Sequence, residues 1–188
     1  MNKRKDEVFM IKIRQCELKD IDNVARLSKK VLKNLQQKGK SDLFGGVDES
    51  EIAAAMEFPS TVIIAEDEND NDNIVGFLLL QKPNDEEEEE YAKAFPNSYK
   101  VGDGIIVNGI GVSPIRIKMG IATLMLEFGK KYALEHGFTK FIGTIHPKND
   151  ASAGALSHIA EMEKGDPFIH ETRDGRNLLR QYFIQNLK

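Results

Sequence analysis

The chain has 188 residues, 40% of them apolar and 30% charged, with a net charge of −4 and one cysteine. That length lets a fold bury roughly 70% of the surface its unfolded chain exposes, so no covalent staple is needed. A lone Cys16 excludes an internal disulfide, the net negative charge disfavours a nucleic-acid partner, and no apolar run reaches the ~18–20 residues of a membrane span.

The N-terminus MNKRKDEVFMIKIRQ is basic but lacks the apolar core of a secretory leader, so a cytoplasmic location is expected. Residues 8–14 alternate apolar and polar and read as a strand. Lys19 or Asp20 opens a helix in which Val24, Leu27, Val31 and Leu35 recur at helical spacing, and Gly39 closes it. Residues 43–47 form a loop around Gly45 and Gly46. Asp48 caps a short helix over 49–57, stopped by Pro59. TVIIAE (61–66) and IVGFLLLQ (74–81) are strands of a hairpin whose turn, EDENDNDN, is polar throughout. Residues 83–101 break the rhythm with the acidic run Asp85 to Glu90. This insertion is either a solvated acidic helix or loop, or the wall of a pocket for a cationic substrate.

Residues 105–112 form a fourth strand, in which Asn108 and Gly109 suggest a bulge. A helix over 117–136 follows, with Ile121, Leu124, Met125, Phe128 and Tyr132 on one face and Gly137 at its end. Residues 141–145 are a fifth strand, making a right-handed parallel crossover with the fourth. Asn149 or Asp150 caps a further helix through Ala155, Ile159 and Met162. Residues 168–172 and 178–186 are the last strands, joined at Asp174 and Gly175. The pattern contains no internal repeat and no linker. It gives one α/β domain, 1–188, on a mixed sheet.

The junction GIGVSPIRIKMGIATLML (109–126) carries the chemistry. A helix start offers unpaired N–H groups and the positive end of the helix dipole, a natural seat for a pyrophosphate. Gly120 and Ala122 permit close approach, and Arg116 and Lys118 add positive charge. A bulge before it would free strand amides to pair with an extended amide-containing ligand.

The run VSPIRIKMGIATLML resembles the acetyl-coenzyme A motif of the GNAT family, the GCN5-related N-acetyltransferases, and HPKNDASAGAL resembles a second element of that family. The order of elements is also the family's. The resemblance implies a central, mostly antiparallel seven-stranded sheet flanked by helices, with parallel, splayed fourth and fifth strands. It implies acetyl-CoA as cosubstrate and no metal. Backbone donors from Lys118, Met119, Gly120, Ile121 and Ala122 would meet the pyrophosphate. Ile110, Gly111 and Val112 would pair with the pantetheine arm, and Asn149 would touch it. The chain departs from the family at Ile117, where an Arg or Gln is usual, and at Lys118, where a Gly is common. The usual tyrosine that protonates the leaving thiolate falls at Leu156 or Ser157. His146, Asp103 and His158 are the candidate general bases, with Glu66 as a further carboxylate and Tyr182 and Arg180 as candidates to shape the acceptor pocket. The expected activity is N-acetylation of a primary amine on a small molecule or peptide, a cationic one given the acidic insertion. The alternatives are a protein N-terminal or lysine acetyltransferase, or a silent acyl-CoA sensor. A monomer and a homodimer both remain open.

Overall fold

The computed structural model describes residues 10–69, 73–171 and 175–187. Its strands are β1 (Ile11–Gln15), β2 (Thr61–Asp67), β3 (Ile74–Gln81), β4 (Gly104–Val112), β5 (Lys140–Ile145), β6 (Met162–Glu171) and β7 (Asn177–Asn186), forming one seven-stranded sheet in the order β1-β2-β3-β4-β5-β7-β6. Every neighbouring pair is antiparallel except β4 and β5. The helices are α1 (Ile21–Gln37), α2 (Glu49–Ala54), α3 (Asp85–Ala94), α4 (Ile121–Glu135) and α5 (Asp150–Ser157).

Side chains alternate across a strand, and that alternation divides the core. Phe77 and Leu79 of β3 pack with Val24, Leu27 and Ile52 of α1 and α2. Leu78 and Leu80 point the other way, to Met125, Leu126 and Leu156 of α4 and α5. The same parity runs through β4, where Ile105 and Val107 face α4. Ile106 faces back and packs with Ile142, Ile184 and the α3-side aromatics Tyr91, Phe95 and Tyr99. Gln81, on the Leu79 face, pairs with Ile106, so α3 lies on the same side as α1 and α2, over β4, β5 and β7.

The acidic insertion is therefore a packed helix with an acidic outer surface. Asn84 caps it by accepting from the Glu87 N–H at 2.9 Å while the Glu87 carboxylate accepts from the Asn84 N–H at 2.9 Å. Four acidic residues in its first turn suit the positive end of the helix dipole. Glu88 is buried and accepts from the Tyr99 hydroxyl and the Gly102 N–H, which ties the helix to the approach to β4.

Several bounds differ from the sequence reading. Helix α4 begins at Ile121 rather than 117, because Lys118 and Gly120 both adopt left-handed φ values (64° and 76°) that a helix cannot contain. Its buried face uses Leu126, while Leu124 is 44% exposed. Helix α2 stops at Ala54, and α5 ends at Ser157, so Met162 opens a strand instead of closing a helix. Strand β6 starts six residues before the expected 168. It is an edge strand, mostly exposed, and its register shifts between Lys164 and Pro167. Proline is tolerated there, and little apolar alternation is left to read. Val8 of the first expected strand, residues 70–72 of the expected turn, Thr172 and Asp174 lie outside the described residues.

Candidate functional site

Strands β4 and β5 pair only over residues 104–106 against 140–142. Beyond that point each keeps its other neighbour: β4 stays on β3 up to Val112, and β5 stays on β7 up to Ile145. The two parallel strands thus part into a slot. Alternate residues of β4 from 107 onward turn N–H and C=O groups toward that slot with no strand opposite. The ladder with β3 steps from Leu79–Gly109 to Leu80–Val107, which leaves Asn108 as an extra, bulged residue. Its side chain is exposed on the bulge and donates to Gln81 Oε1.

Past the slot the chain turns sharply. The Ser113 N–H donates to Val75 O at 2.8 Å, and the Arg116 N–H to Ser113 O at 2.8 Å. Gly120 is the N-cap of α4 and brings no capping side chain. No N–H from Ile117 to Thr123 donates to another described residue. A Cβ at Gly120 would meet nothing within 4 Å, so the amides open onto free space. Unsatisfied helix-start donors beside open space form an anion seat made of backbone alone. Lys118 and Met119 border it, and Ile121 and Ala122 form its first turn. Ile117 is 51% exposed and Met119 39%, so the seat is flanked by apolar side chains, Ile117 standing at the position where the resemblance leads one to expect Arg or Gln.

Arg116 is not free to play that part as a phosphate ligand. Its Nη2 lies 2.9 Å from Oδ2 of the fully buried Asp67 at the end of β2. The guanidinium fastens the loop to the sheet and contributes its charge to the seat only as a field. Asn149 likewise has structural duties. It caps α5 by accepting from the Ser152 N–H at 3.2 Å, and its Nδ2 donates to Leu43 O at 3.4 Å.

The Leu43 contact belongs to a wider arrangement. Residues 41–47, between α1 and α2, run as a strap across the far end of the slot. Arg180 Nη1 donates to Asp42 O at 2.8 Å and Arg176 Nη2 to Gly45 O at 3.0 Å. His146 Nε2 lies 3.1 Å from Asp42 Oδ2. Phe44 tilts against Phe77 with ring centroids 6.2 Å apart, and the Val47 N–H donates to the buried Ser28 Oγ at 2.8 Å. Below the strap, on the same face, Tyr182 donates to Glu90 Oε2 at 2.9 Å, stacks on Phe168 with centroids 4.4 Å apart and meets Tyr91 edge-on. Burial, and next the Glu90 carboxylate, push the Tyr182 hydroxyl up to about 12. We call the surface between strap and α3, with the Asn108–Gln81 pair on the sheet and the Tyr182–Glu90 pair beside it, the groove.

The candidate bases are scattered. His146 is 6% exposed, and its Nδ1 accepts from the Lys148 N–H at 3.0 Å, so both ring nitrogens face protein groups. It is placed to hold the strap rather than to take a proton from an incoming amine. Asp103 sits before β4, six residues or about 20 Å of strand from Gly109. Its carbonyl accepts from Thr139 and Lys140, and its carboxylate lies 3.7 Å from Lys140 Nζ. His158 is exposed at the C-terminal end of α5. Glu66 is held by Arg14, which also binds Asp20. Leu156 is buried in the core, and the Ser157 hydroxyl donates to Ala153 O within its own helix. Neither occupies the role of a thiol-protonating tyrosine. The sequence did not mark Asp42, Gln81 or the Glu90–Tyr182 contact, whose partners lie tens of residues apart. Among the described residues no three metal-ligating side chains converge, and no helix is long and apolar enough to cross a membrane.

No curated protein sequence matches the chain. Solved structures do. An N-acetyltransferase from Staphylococcus aureus Mu50 superposes with a TM-score of 0.68 at 14% identity, covering 95% of this chain and 99% of that one. A phosphinothricin acetyltransferase from Sinorhizobium meliloti in complex with acetyl-CoA does so with a TM-score of 0.64 at 17% identity, covering 94% and 88%. The ribosomal-protein-S18-alanine N-acetyltransferase from Escherichia coli gives 0.65 at 13% identity, covering 95% of each chain. Such low identities speak for a shared fold. The model of the acetyltransferase (GNAT) family matches residues 30–158, the span from α1 through the slot and helix start to α5. By that match the chain belongs to the GNAT family of acetyltransferases.

Proposed function

We propose that the protein transfers the acetyl group of acetyl-CoA to a primary amine by direct attack within a ternary complex. The observation that carries this reading is the unpaired slot between β4 and β5, leading to a helix start whose amides from Ile117 to Thr123 have no acceptor among the described residues. An extended ligand ending in a pyrophosphate fits both parts at once. The amides from Lys118 to Ala122 would hold the phosphates, and the slot-facing backbone of Ile110 to Val112 would pair with the pantetheine arm. An acceptor that arrives as an ammonium first loses a proton to solvent. The neutral amine then attacks the thioester carbon, the C–N bond forms as the C–S bond breaks, and coenzyme A leaves as its thiol with the second proton of the attacking nitrogen.

The chain's contribution is placement and polarisation. A slot-facing N–H of β4 near the Asn108 bulge would donate to the acyl oxygen as charge develops there. The groove on the α1 and α3 face would bring the amine to the same point, and holding two reactants together accounts for several kcal/mol of barrier reduction. The amine reaches the groove as an ammonium ion. The acidic surface of α3, with Glu90 at its edge, favours that arrival.

A second reading, an acyl-CoA sensor without turnover, is favoured by the positions of Leu156 and Ser157, which leave the thiol side of the slot without a tyrosine hydroxyl. Calorimetry with acetyl-CoA followed by thiol release across a panel of primary amines tests both. Saturable binding with amine-dependent thiol release is expected. Binding without release for any amine gives the sensor reading, and no binding at millimolar ligand removes both.

A further inference from the structure

Arg180 is a residue of the groove with hydrogen-bonding capacity left over. It stands on β7 two residues from Tyr182, on the same face of the sheet, and is only 8% exposed. A guanidinium has five N–H donors. Nη1 spends its pair on Asp42 O at 2.8 Å and Leu179 O at 3.0 Å. Nε and Nη2 donate to no described residue, and neither is sealed from solvent. Among the described residues no carboxylate lies within ion-pair distance of the group. The nearest charges are Asp42, whose carboxylate lies by His146, and a second cation, Arg176. Burial and Arg176 both work against the charge, and Asp42 only offsets them.

A buried cation without an ion pair is costly unless something binds it. Holding the strap needs only Nη1. The edge that stays open, Nε with Nη2, is the one whose parallel donors match two oxygens of a carboxylate or a related oxyanion.

We propose that Arg180 is a specificity residue of the acceptor site, and that the acceptor carries an oxyanion, a carboxylate or its phosphorus-centred counterpart, close to its amine. The proposal rests on the acetyltransferase reading and narrows it to amino-acid-like acceptors. Such a molecule is a zwitterion. Its ammonium end meets the Glu90 and Tyr182 wall while its oxyanion lies along the Arg180 edge, about 7 Å further along β7. The strap lies beside the oxyanion, since Asp42 O is bound by the same guanidinium.

The test needs no turnover. Calorimetry would compare N-acetyl-α-amino acids, the matching N-acetylated aminophosphonates, and N-acetyl amines lacking any oxyanion, each titrated into the protein with coenzyme A present. The oxyanion-bearing members should bind about ten- to a hundredfold tighter. Arg180→Gln should erase that difference and leave acetyl-CoA affinity unchanged, while Arg180→Lys retains part of it. Which oxyanion binds better tells the carboxylate from the phosphorus acid. Equal binding of all three classes by the wild-type protein overturns the proposal, as does a preference that survives in folded Arg180→Gln. Should that variant fail to fold, the wild-type comparison and Arg180→Lys decide. Loss of acetyl-CoA binding by the wild-type protein would instead sink the acetyltransferase reading, which this comparison keeps separate.

Discussion

The two sides of the slot are made of different materials. The helix start after β4 is built from backbone: two left-handed residues, an uncapped first turn and a strand edge with no neighbour. The proposed acceptor groove draws on side chains of the strap, α3, β3, β4 and β7. The first kind of site tolerates wide sequence change as long as the chain path survives. This explains how the seat persists with Ile117 and Lys118 in positions where other residues are usual. The second kind depends on each polar group separately, so under the proposed function it is where acceptor choice would reside.

The sharpest break of that contrast is steric. Gly120→Glu puts bulk and negative charge into the open space at the N-cap, at a φ of 76° that also strains any side chain. Acetyl-CoA affinity measured by calorimetry should fall by at least about a hundredfold. Unchanged affinity in a folded variant would mean that the phosphates bind elsewhere. In the groove, by contrast, Glu90→Gln preserves shape and removes one exposed charge. The KM for amine acceptors should rise about three- to tenfold at low salt, with kcat little changed and the difference fading as ionic strength rises. An effect on kcat alone would place Glu90 in the chemistry rather than in the approach.

The difference in materials also decides what could be read from the sequence. The helix start is local: strand, Ser-Pro turn, small residues and amphipathic helix follow one another within 105–126, so periodicity and spacing exposed it, whereas the parting of β4 and β5 was implied only by the family resemblance. The bulge at Asn108 was legible for the same reason, a polar residue and a glycine inside an apolar strand. The precise start of α4 was not, because nothing in Ile117-Lys118-Met119 announces that a lysine takes a left-handed conformation. In the groove, the sequence singles out Tyr182, Arg180, His146 and the acidic run one by one, but not the contacts that join them. Asp42 meets His146 and Arg180 across more than a hundred residues, and Tyr182 meets Glu90 across 92. The first part of edge strand β6, before residue 168, escaped because an exposed strand interrupted by Gly165 and Pro167 carries little apolar pattern.

Alkaline titration tests whether the groove wall is set as described. The Tyr182 hydroxyl is raised from an ordinary value of 10 to about 12 by burial and by Glu90. A group whose folded-state value is raised adds stability that is fully present below its unfolded value and is lost as pH climbs through the folded one. The wild-type protein should therefore lose stability between about pH 10 and 12 more steeply than Tyr182→Phe, as followed by denaturant midpoints at each pH. Parallel profiles would show that Tyr182 ionises as freely in the groove as in the unfolded chain.

The smallest effect bears most directly on the backbone claim. Lys118 holds a φ of 64° without being a glycine, a conformation costing on the order of 1 kcal/mol for an L-residue. Lys118→Gly relieves that strain but adds freedom to the unfolded chain, so the two effects nearly cancel. The melting temperature should move by no more than about 4 °C. The substitution also deletes one exposed cation at the seat, whose screened attraction for a phosphate is modest. Acetyl-CoA affinity should weaken by no more than about threefold. A loss of tenfold or more would mean that the lysine side chain, and not the row of amides beside it, carries the binding, and the contrast between the two walls of the slot would fail at its strongest point.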